Sequence, residues 1–204
     1  MATRSNSSRE RILQCAETII LQKGFSATSI DDIIKSASIT KGGFFYHFEG
    51  KPGLAKALIE RYLEQDDIIF NNLLNQADDL SEDPLHQLLI FFKLMAEMLG
   101  NMKETHPGCL VASFTYETQL FNDEIREMML TGIINWRRMI VERLENIMKQ
   151  YPMQSDVTVQ TLADMFSTIV EGGIVLARNF QDNQILIDQI LGYRSFVRLV
   201  FGAK

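Results

Sequence analysis

The chain has 204 residues, of which 46% are hydrophobic and 23% are charged, as in an ordinary soluble globular protein of one or two domains. No apolar run approaches the roughly eighteen residues that span a bilayer, and the N-terminus lacks the apolar segment of a secretory signal. Two cysteines are too few for a disulfide framework, so we expect a reduced, cytoplasmic protein with no membrane partner.

The net charge of −6 is distributed unevenly along the chain. Residues 1–56 contain eight Lys or Arg and five Asp or Glu, whereas the remaining residues contain twelve and twenty-one. A slightly basic N-terminal segment joined to an acidic body indicates a polyanionic partner for the first part. The acidic total argues against an architectural DNA-binding protein, which needs a basic surface overall.

Helical patterns dominate the N-terminal segment. A first helix is predicted to end at Gly24, and its apolar stripe comprises Ile12, Leu13, Ala16, Ile19 and Ile20. A short second helix begins after Ser29, a capping residue that has Asp32 three positions later. After a break at residues 38–39, Thr40 is predicted to cap a third helix.

The rest of the chain is predicted to form longer helices, because prolines and turn residues punctuate its apolar-periodic segments. We expect these helices near residues 52–76, 82–104, 108–120, 122–150, 155–180 and 183–201. The predicted fold class is therefore all-α. Residues 1–52 are expected to form a small N-terminal domain and residues 53–204 a larger helical-bundle domain.

The segment "TKGGFFYHF", residues 40–48, places two glycines beside aromatic and basic residues. A short helix, a break and a second short helix are typical of a helix-turn-helix, whose second helix enters the major groove of DNA. Gly42 leaves the helix surface open to phosphates and base edges, and Lys41 supplies a cation. Phe44 and Phe48 lie four residues apart and are predicted to be core. The alternative is a compact three-helix core without a nucleic-acid role.

Other side chains near this segment also suit DNA. Thr40, Tyr46 and His47 supply hydrogen-bond donors for bases or phosphates, and Phe45 is placed to contact a thymine methyl group or a sugar. Lys51 begins the next helix, whose N-terminal dipole favours a phosphate.

Residues 9–55, above all "GFSATSIDDIIKSASITKGGFFYHFEGKPGL", resemble the DNA-binding domain of the TetR family of bacterial transcriptional regulators. The resemblance implies an all-helical homodimer of about nine helices, with a small DNA reader and a larger body that binds a small-molecule inducer. It implies a repressor that binds a palindromic operator and is released by that inducer. The alternative, a helical protein-interaction module whose helix-turn-helix is only structural, leaves "TKGGFFYHF" unexplained.

The resemblance also implies which residues contact double-stranded DNA, namely Ser29, Ile30, Thr40, Lys41, Gly42, Phe45, Tyr46, His47 and Lys51. Two positions depart from the family pattern. Ser38 stands where the family commonly has a turn glycine, which implies either a strained left-handed residue or an adjusted turn. Phe45 stands where many members have tyrosine, so one hydroxyl contact to phosphate is missing.

In the body, Glu171 lies in an apolar run beside Gly172 and Gly173. Similar E-G-x-x-x-L-A-R stretches occur at the four-helix dimer interface of the family. The resemblance therefore implies that residues 155–180 and 183–201 dimerise the protein. Glu171 itself is interpreted either as a structural carboxylate or as an acid in the inducer pocket.

The inducer pocket is predicted from composition and resemblance. Cys109 opens a helix, where a thiol can be reactive, and some regulators of this family with a similar G-C-L element sense electrophiles or oxidants. The alternative is a small buried hydrophobe. Methionines and aromatic residues at helical spacing indicate an adaptable cavity lining, although such a stripe also forms plain core. The candidate inducer-binding residues are Met98, Cys109, Phe114, Glu117, Met128, Trp136, Phe166 and Glu171.

Nothing in the sequence indicates an enzyme. The three histidines lack the spacing of metal ligands, and there is no nucleophile elbow, glycine-rich phosphate loop or C-x-x-C pair. We therefore expect no catalytic residue, no metal site and no cofactor.

Overall fold

A computed structural model describes the backbone of residues 2–202 and the side chains of residues 8–202. Over this part of the chain there are nine α-helices and no strand, which confirms the predicted all-α class. The helices are α1 (Ala2–Lys23), α2 (Ile30–Ser36), α3 (Lys41–His47), α4 (Gly50–Leu80), α5 (Pro84–Gly100), α6 (Leu110–Thr115), α7 (Asp123–Met148), α8 (Val159–Phe180) and α9 (Asn183–Val200).

The single helix predicted over residues 108–120 is wrong. Helix α6 has only six residues, and a separate 3-10 turn follows at Thr118–Leu120. No glycine or proline marks the interruption, so the sequence carries no local signal for it. The side chain of Glu117, which lies in the interruption, instead makes contacts far away in the chain.

The chain forms two compact units, each assembled from two segments. The first unit comprises Met1–Gln65 and Pro107–Thr131, and the second comprises Asp66–His106 and Gly132–Lys204. The predicted boundary after residue 52 lies within α4, inside the first unit. That domain division stays a prediction, and its outermost residues, 1 and 203–204, lie outside the described part of the chain.

The first unit is built on the apolar stripe of α1, against which α2 and α6 pack. Four of the five predicted stripe residues are buried: Ile12, Leu13, Ala16 and Ile20. Helix α4 contributes Leu54 and Leu58, and its Arg61 pairs with Glu10 and Glu17 of α1. Burial of these apolar side chains supplies the main driving force for forming the unit.

The second unit is centred on α5, α8 and α9. Phe92 lies 5.2 Å from Phe166 and 5.2 Å from Tyr193 between ring centroids, and the Tyr193 hydroxyl donates to the Leu162 carbonyl at 2.6 Å. Gly173 is needed for the close approach of α8 to α9, because a Cβ there would lie 2.7 Å from Leu186 Cδ1.

By length and composition alone, α8 is apolar enough to cross a bilayer. It nevertheless contains Asp164 and Glu171, so it is not an uninterrupted apolar run of the kind that the sequence was expected to lack. Core helices of soluble proteins meet the same criterion. In this structure α8 buries Leu162, Phe166 and Ala177 in the second unit, so its apolar character is partly explained by packing.

Replacing Gly173 with Ala is expected to destabilise the second unit by about 1–3 kcal/mol, since the new methyl group overlaps Leu186 on the neighbouring helix. Urea unfolding at fixed protein concentration measures the effect. Gly100→Ala is the control, because its added Cβ would meet Ile187 Cδ1 at an ordinary 3.5 Å. Equal stability of the two variants would contradict the close α8–α9 approach.

Candidate nucleic-acid interface

The N-terminus of α2 is fixed by a reciprocal pair of hydrogen bonds. The Asp32 amide donates to Ser29 Oγ at 3.1 Å, and the Ser29 amide donates to Asp32 Oδ2 at 3.0 Å, which completes the predicted capping box. Lys23 Nζ also donates to Asp32 Oδ2 at 2.8 Å, and this bond, with those from Ser29, holds the pKa of Asp32 well below its usual range. The carboxylate therefore stays ionised and keeps the cap in place.

The turn between α2 and α3 passes through a left-handed residue. Ser38 has φ +51°, so this residue adopts a backbone conformation that normally favours glycine. The Ile39 amide donates to the Ile34 carbonyl, and Arg11 Nε donates to the Ala37 carbonyl at 2.9 Å. Of the two alternatives for Ser38, the structure has the left-handed residue, held by contacts on both sides of the turn.

Helix α3 has one buried face and one exposed face, as predicted. Thr40 Oγ1 accepts from the Gly43 amide at 3.1 Å, and Phe44 and Phe48 are buried in the first unit. On the opposite side Phe45 is 49% exposed and Tyr46 is 77% exposed. Two large aromatic side chains left in solvent are available to a partner.

Gly42 leaves a gap on the exposed side of α3. No heavy atom lies within 4 Å of the position that a Cβ would occupy there. Lys41, the preceding residue, is exposed at the start of the helix. This part of α3 therefore combines a positive charge with an open backbone surface, the combination that close approach to a phosphate requires.

A surface depression of about 450 Å3 lies beside the exposed face of α3. Lys41 and Phe45 form one side of it, and Lys51 contributes from α4. The loop before α2 and the first residues of α2 complete the lining, namely Ser26, Ala27, Thr28, Ser29, Ile30 and Asp31. Five of the nine predicted DNA-binding residues therefore meet in one concave surface.

The amino group of Lys51 is engaged within the protein. Lys51 Nζ donates to the Phe25 carbonyl at 2.7 Å and lies 4.4 Å from the centroid of the Phe25 ring. Burial lowers the pKa of Lys51, and the nearby Glu117 carboxylate opposes that shift. His47 is half-buried, with its ring against Tyr46 and Phe48. The predicted DNA contacts of all nine residues stay predictions.

The eight candidate inducer-binding residues fall in both units. Met98, Trp136, Phe166 and Glu171 belong to the second unit, whereas Cys109, Phe114, Glu117 and Met128 belong to the first. The Phe166 ring is buried against Phe91 and Phe92. Their predicted role in binding a ligand stays a prediction. Among the residues that the structure describes, no group of three or more His, Cys, Asp or Glu side chains is arranged to hold a metal ion.

Two residues have structural roles that sequence reasoning missed or assigned elsewhere. Phe25 is buried and packs against both Phe114 and Phe121, which stack on each other with ring centroids 4.5 Å apart. Glu117 accepts hydrogen bonds from the backbone of the α1–α2 loop. Because these contacts join segments about ninety residues apart, no local pattern could have revealed them.

A capped helix, a left-handed turn and a second helix with one exposed face, all held on a buried three-helix core, define a helix-turn-helix DNA-binding protein. Comparison with known proteins agrees with this class. Residues 12–58 match the profile of the bacterial regulatory proteins of the tetR family. Residues 84–189 match the C-terminal domain of LmrA/YxaF-like transcriptional regulators. The chain belongs to the TetR family and is a DNA-binding transcriptional regulator.

Individual relatives extend over most of the chain. The transcriptional regulator AcuR of Cereibacter sphaeroides is 29% identical over 160 residues, which cover 78% of this chain and 71% of AcuR. The transcriptional repressor DhaR of Mycobacterium sp. strain GP1 is 22% identical over 183 residues, or 90% and 88% of the two chains. A TetR-family regulator from Agrobacterium tumefaciens shares the fold, with a TM-score of 0.79 at 22% identity over 97% of this chain and all of that one.

Replacing Ser38 with Gly is expected to raise the free energy of unfolding by about 1 kcal/mol, since glycine adopts φ +51° without a Cβ penalty. Ser36→Gly, two residues earlier at the last residue of α2, is the matched control and should lower it by about 0.5 kcal/mol. Urea unfolding measures both. Equal shifts in the same direction would show that residue 38 is not left-handed.

Proposed function

We propose that this regulator is a repressor that binds a palindromic operator as a homodimer and leaves it when a small molecule binds. The observation that carries the proposal is the exposed face of α3, where Lys41, Gly42, Phe45 and Tyr46 lie beside the concave surface at the start of α2. The protein acts in the cytoplasm, where its DNA lies.

Each predicted DNA-binding residue has a task in this proposal. Lys41 neutralises a phosphate or contacts a guanine edge, and the Tyr46 hydroxyl donates to a phosphate oxygen. Phe45 contacts a thymine methyl group or a sugar, and Gly42 allows the close approach. The remaining proposed contacts come from Thr40, His47, Ser29, Ile30 and Lys51. The ammonium group of Lys51 has further N–H donors besides the one that binds the Phe25 carbonyl.

The homodimer is proposed from an apolar face on α8 and α9. Exposed apolar side chains follow one face of each helix, namely Val175, Leu176 and Phe180 on α8, and Phe196 and Leu199 on α9. Gly172 and Gly192 lie on the same faces, and nothing is within 4 Å of a Cβ added at either. Soluble monomers rarely expose such a continuous patch, and small residues let a second pair of helices approach closely.

Release by a small molecule requires two dimer geometries that differ in the spacing of the two α3 helices. The operator selects the geometry that places them in successive major grooves, about 34 Å apart. An inducer that binds the other geometry more tightly shifts the population away from DNA, by no more than its differential affinity. That DhaR is named a repressor supports repression as the outcome.

Selection from a random duplex library with the purified protein tests operator binding and provides a probe. Recovery of a palindrome supports the proposal, and recovery of unrelated sequences contradicts it. On the selected duplex, we expect Lys41→Ala to weaken binding about tenfold and to reduce the salt slope by about two, because the homodimer loses one Lys41 contact in each half-site. Tyr46→Ala should weaken binding by about five- to tenfold. Lys103→Ala, which removes an exposed charge in the second unit, is the control for net charge and should bind as wild type does.

The homodimer is tested by sedimentation velocity. Leu199→Glu is expected to produce monomers and to reduce operator affinity by at least about a hundredfold, because a charge is placed in the apolar face. Leu80→Glu is the matched control, since Leu80 is 65% exposed on α4 and Leu199 is 68% exposed on α9. If the Leu199→Glu variant remains dimeric, the dimer interface lies elsewhere.

A further inference from the structure

Glu117 connects a late segment of the chain to the loop that precedes the helix-turn-helix. Its two carboxylate oxygens accept separate hydrogen bonds, one from the Phe25 amide at 2.7 Å and one from the Ser26 amide at 2.8 Å. Gly24 permits this approach, because a Cβ there would lie 3.0 Å from Glu117 Oε1 and the residue has φ +87°. The carboxylate therefore binds two consecutive backbone groups of the α1–α2 loop.

Phe25 is held from three directions. Glu117 binds its amide, Lys51 Nζ donates to its carbonyl at 2.7 Å, and its ring packs against Phe114 and Phe121 at centroid distances of 5.2 and 4.9 Å. We call this arrangement, defined by Glu117, Phe25, Ser26 and Lys51, the clamp. All of its residues lie in the first unit.

The clamp adjoins the surface proposed to bind DNA. Ser26 lies three residues before Ser29, the cap of α2, and both residues line the depression beside α3. Within the loop, short-range bonds reinforce the clamp, such as that from Thr28 Oγ1 to the Gly24 carbonyl at 2.7 Å. Releasing the Phe25 and Ser26 amides would therefore leave the loop able to move relative to α3.

The carboxylate is ionised in the clamp. Burial alone would raise the pKa of Glu117, but hydrogen bonds from Ser26 and Phe25 and the charge of Lys51 outweigh it and lower that pKa. Such charge-assisted hydrogen bonds are stronger than neutral ones, so the loop is held firmly at neutral pH.

We propose that Glu117 is a positioning residue for operator binding, which holds the α1–α2 loop in the conformation that receives the DNA backbone. This inference rests on the proposed operator-binding function. It assigns to Glu117 a role inside the DNA-binding unit instead of a contact with an inducer. Because binding equilibria are reciprocal, the proposal also requires that a bound operator stabilise the hydrogen bonds of the clamp.

Simple electrostatics predicts the opposite change in operator affinity, so the direction of the measured change distinguishes the two explanations. Removing a negative charge from a DNA-binding unit should strengthen binding to a polyanion. If Glu117 positions the loop, its loss should weaken binding despite the gain in net positive charge. A purely structural role would lower thermal stability and leave the operator affinity of the folded protein unchanged.

The experiment compares Glu117→Gln with Glu127→Gln on the selected operator duplex. Glutamine retains one acceptor oxygen but turns its NH2 group toward a backbone N–H, so we expect Glu117→Gln to weaken binding about three- to tenfold. Glu127 is exposed on α7 in the same unit and serves as the matched control for charge. Its variant should bind within about twofold of wild type. Affinity of Glu117→Gln equal to that of the control would overturn the proposal. Circular dichroism and sedimentation establish that both variants are folded and in the wild-type oligomeric state.

Hydrogen exchange on the wild-type protein gives a second test that needs no variant. The Phe25 and Ser26 amides should exchange more slowly than the neighbouring Ala27 amide, and adding the operator duplex should slow them further. Exchange of the two amides that does not respond to the operator would also overturn the proposal, even if Glu117→Gln fails to fold. Failure of the wild-type protein to prefer any duplex would overturn the proposed function together with this inference. If the wild-type protein binds the operator and Glu117→Gln binds it equally well, only the inference about Glu117 is overturned.

Discussion

The clamp around Phe25 is the constraint on which the rest of the DNA-binding unit depends. Its ring is buried against Phe114 and Phe121, while Glu117 and Lys51 bind its amide and its carbonyl. Apolar burial supplies the driving force, and the charged hydrogen bonds fix the orientation of the loop. The loop between α1 and α2 is consequently held by Lys51 of α4, by Phe114 of α6, and by Glu117 and Phe121 beyond α6.

The helix-turn-helix tolerates a local cost because its surroundings determine its shape. Ser38 occupies a left-handed conformation that would suit glycine better, yet the caps of Ser29 and Thr40 and the bond from Arg11 to the Ala37 carbonyl leave the turn little freedom. Strain of this kind persists where neighbouring contacts outweigh it. The result is an α3 that has Phe44 buried and its opposite face in solvent.

The second unit uses glycine in two different ways on α8. Gly173 faces α9 of the same chain and lets the two helices approach, whereas Gly172 faces open space beside exposed apolar side chains. The first position contributes to the stability of the chain, and the second leaves the backbone of α8 open beside those side chains. The apolar composition of α8, which by itself resembles a membrane span, follows from having both a buried face and an unpartnered one.

Local sequence patterns were sufficient to predict the features that depend on residues within a few positions of one another. The end of α1 at Gly24, the capping box of Ser29 and Asp32, the cap at Thr40 and the buried pair Phe44 and Phe48 all follow from local hydrogen bonding and helical spacing. The family pattern over the same residues was enough to identify the class of regulator. Two features became apparent only in the tertiary structure. Helix α6 stops after six residues, and Phe114 and Glu117 contact Phe25. Those contacts depend on the path of the chain over about ninety residues, and neither periodicity nor capping rules carry information over that distance.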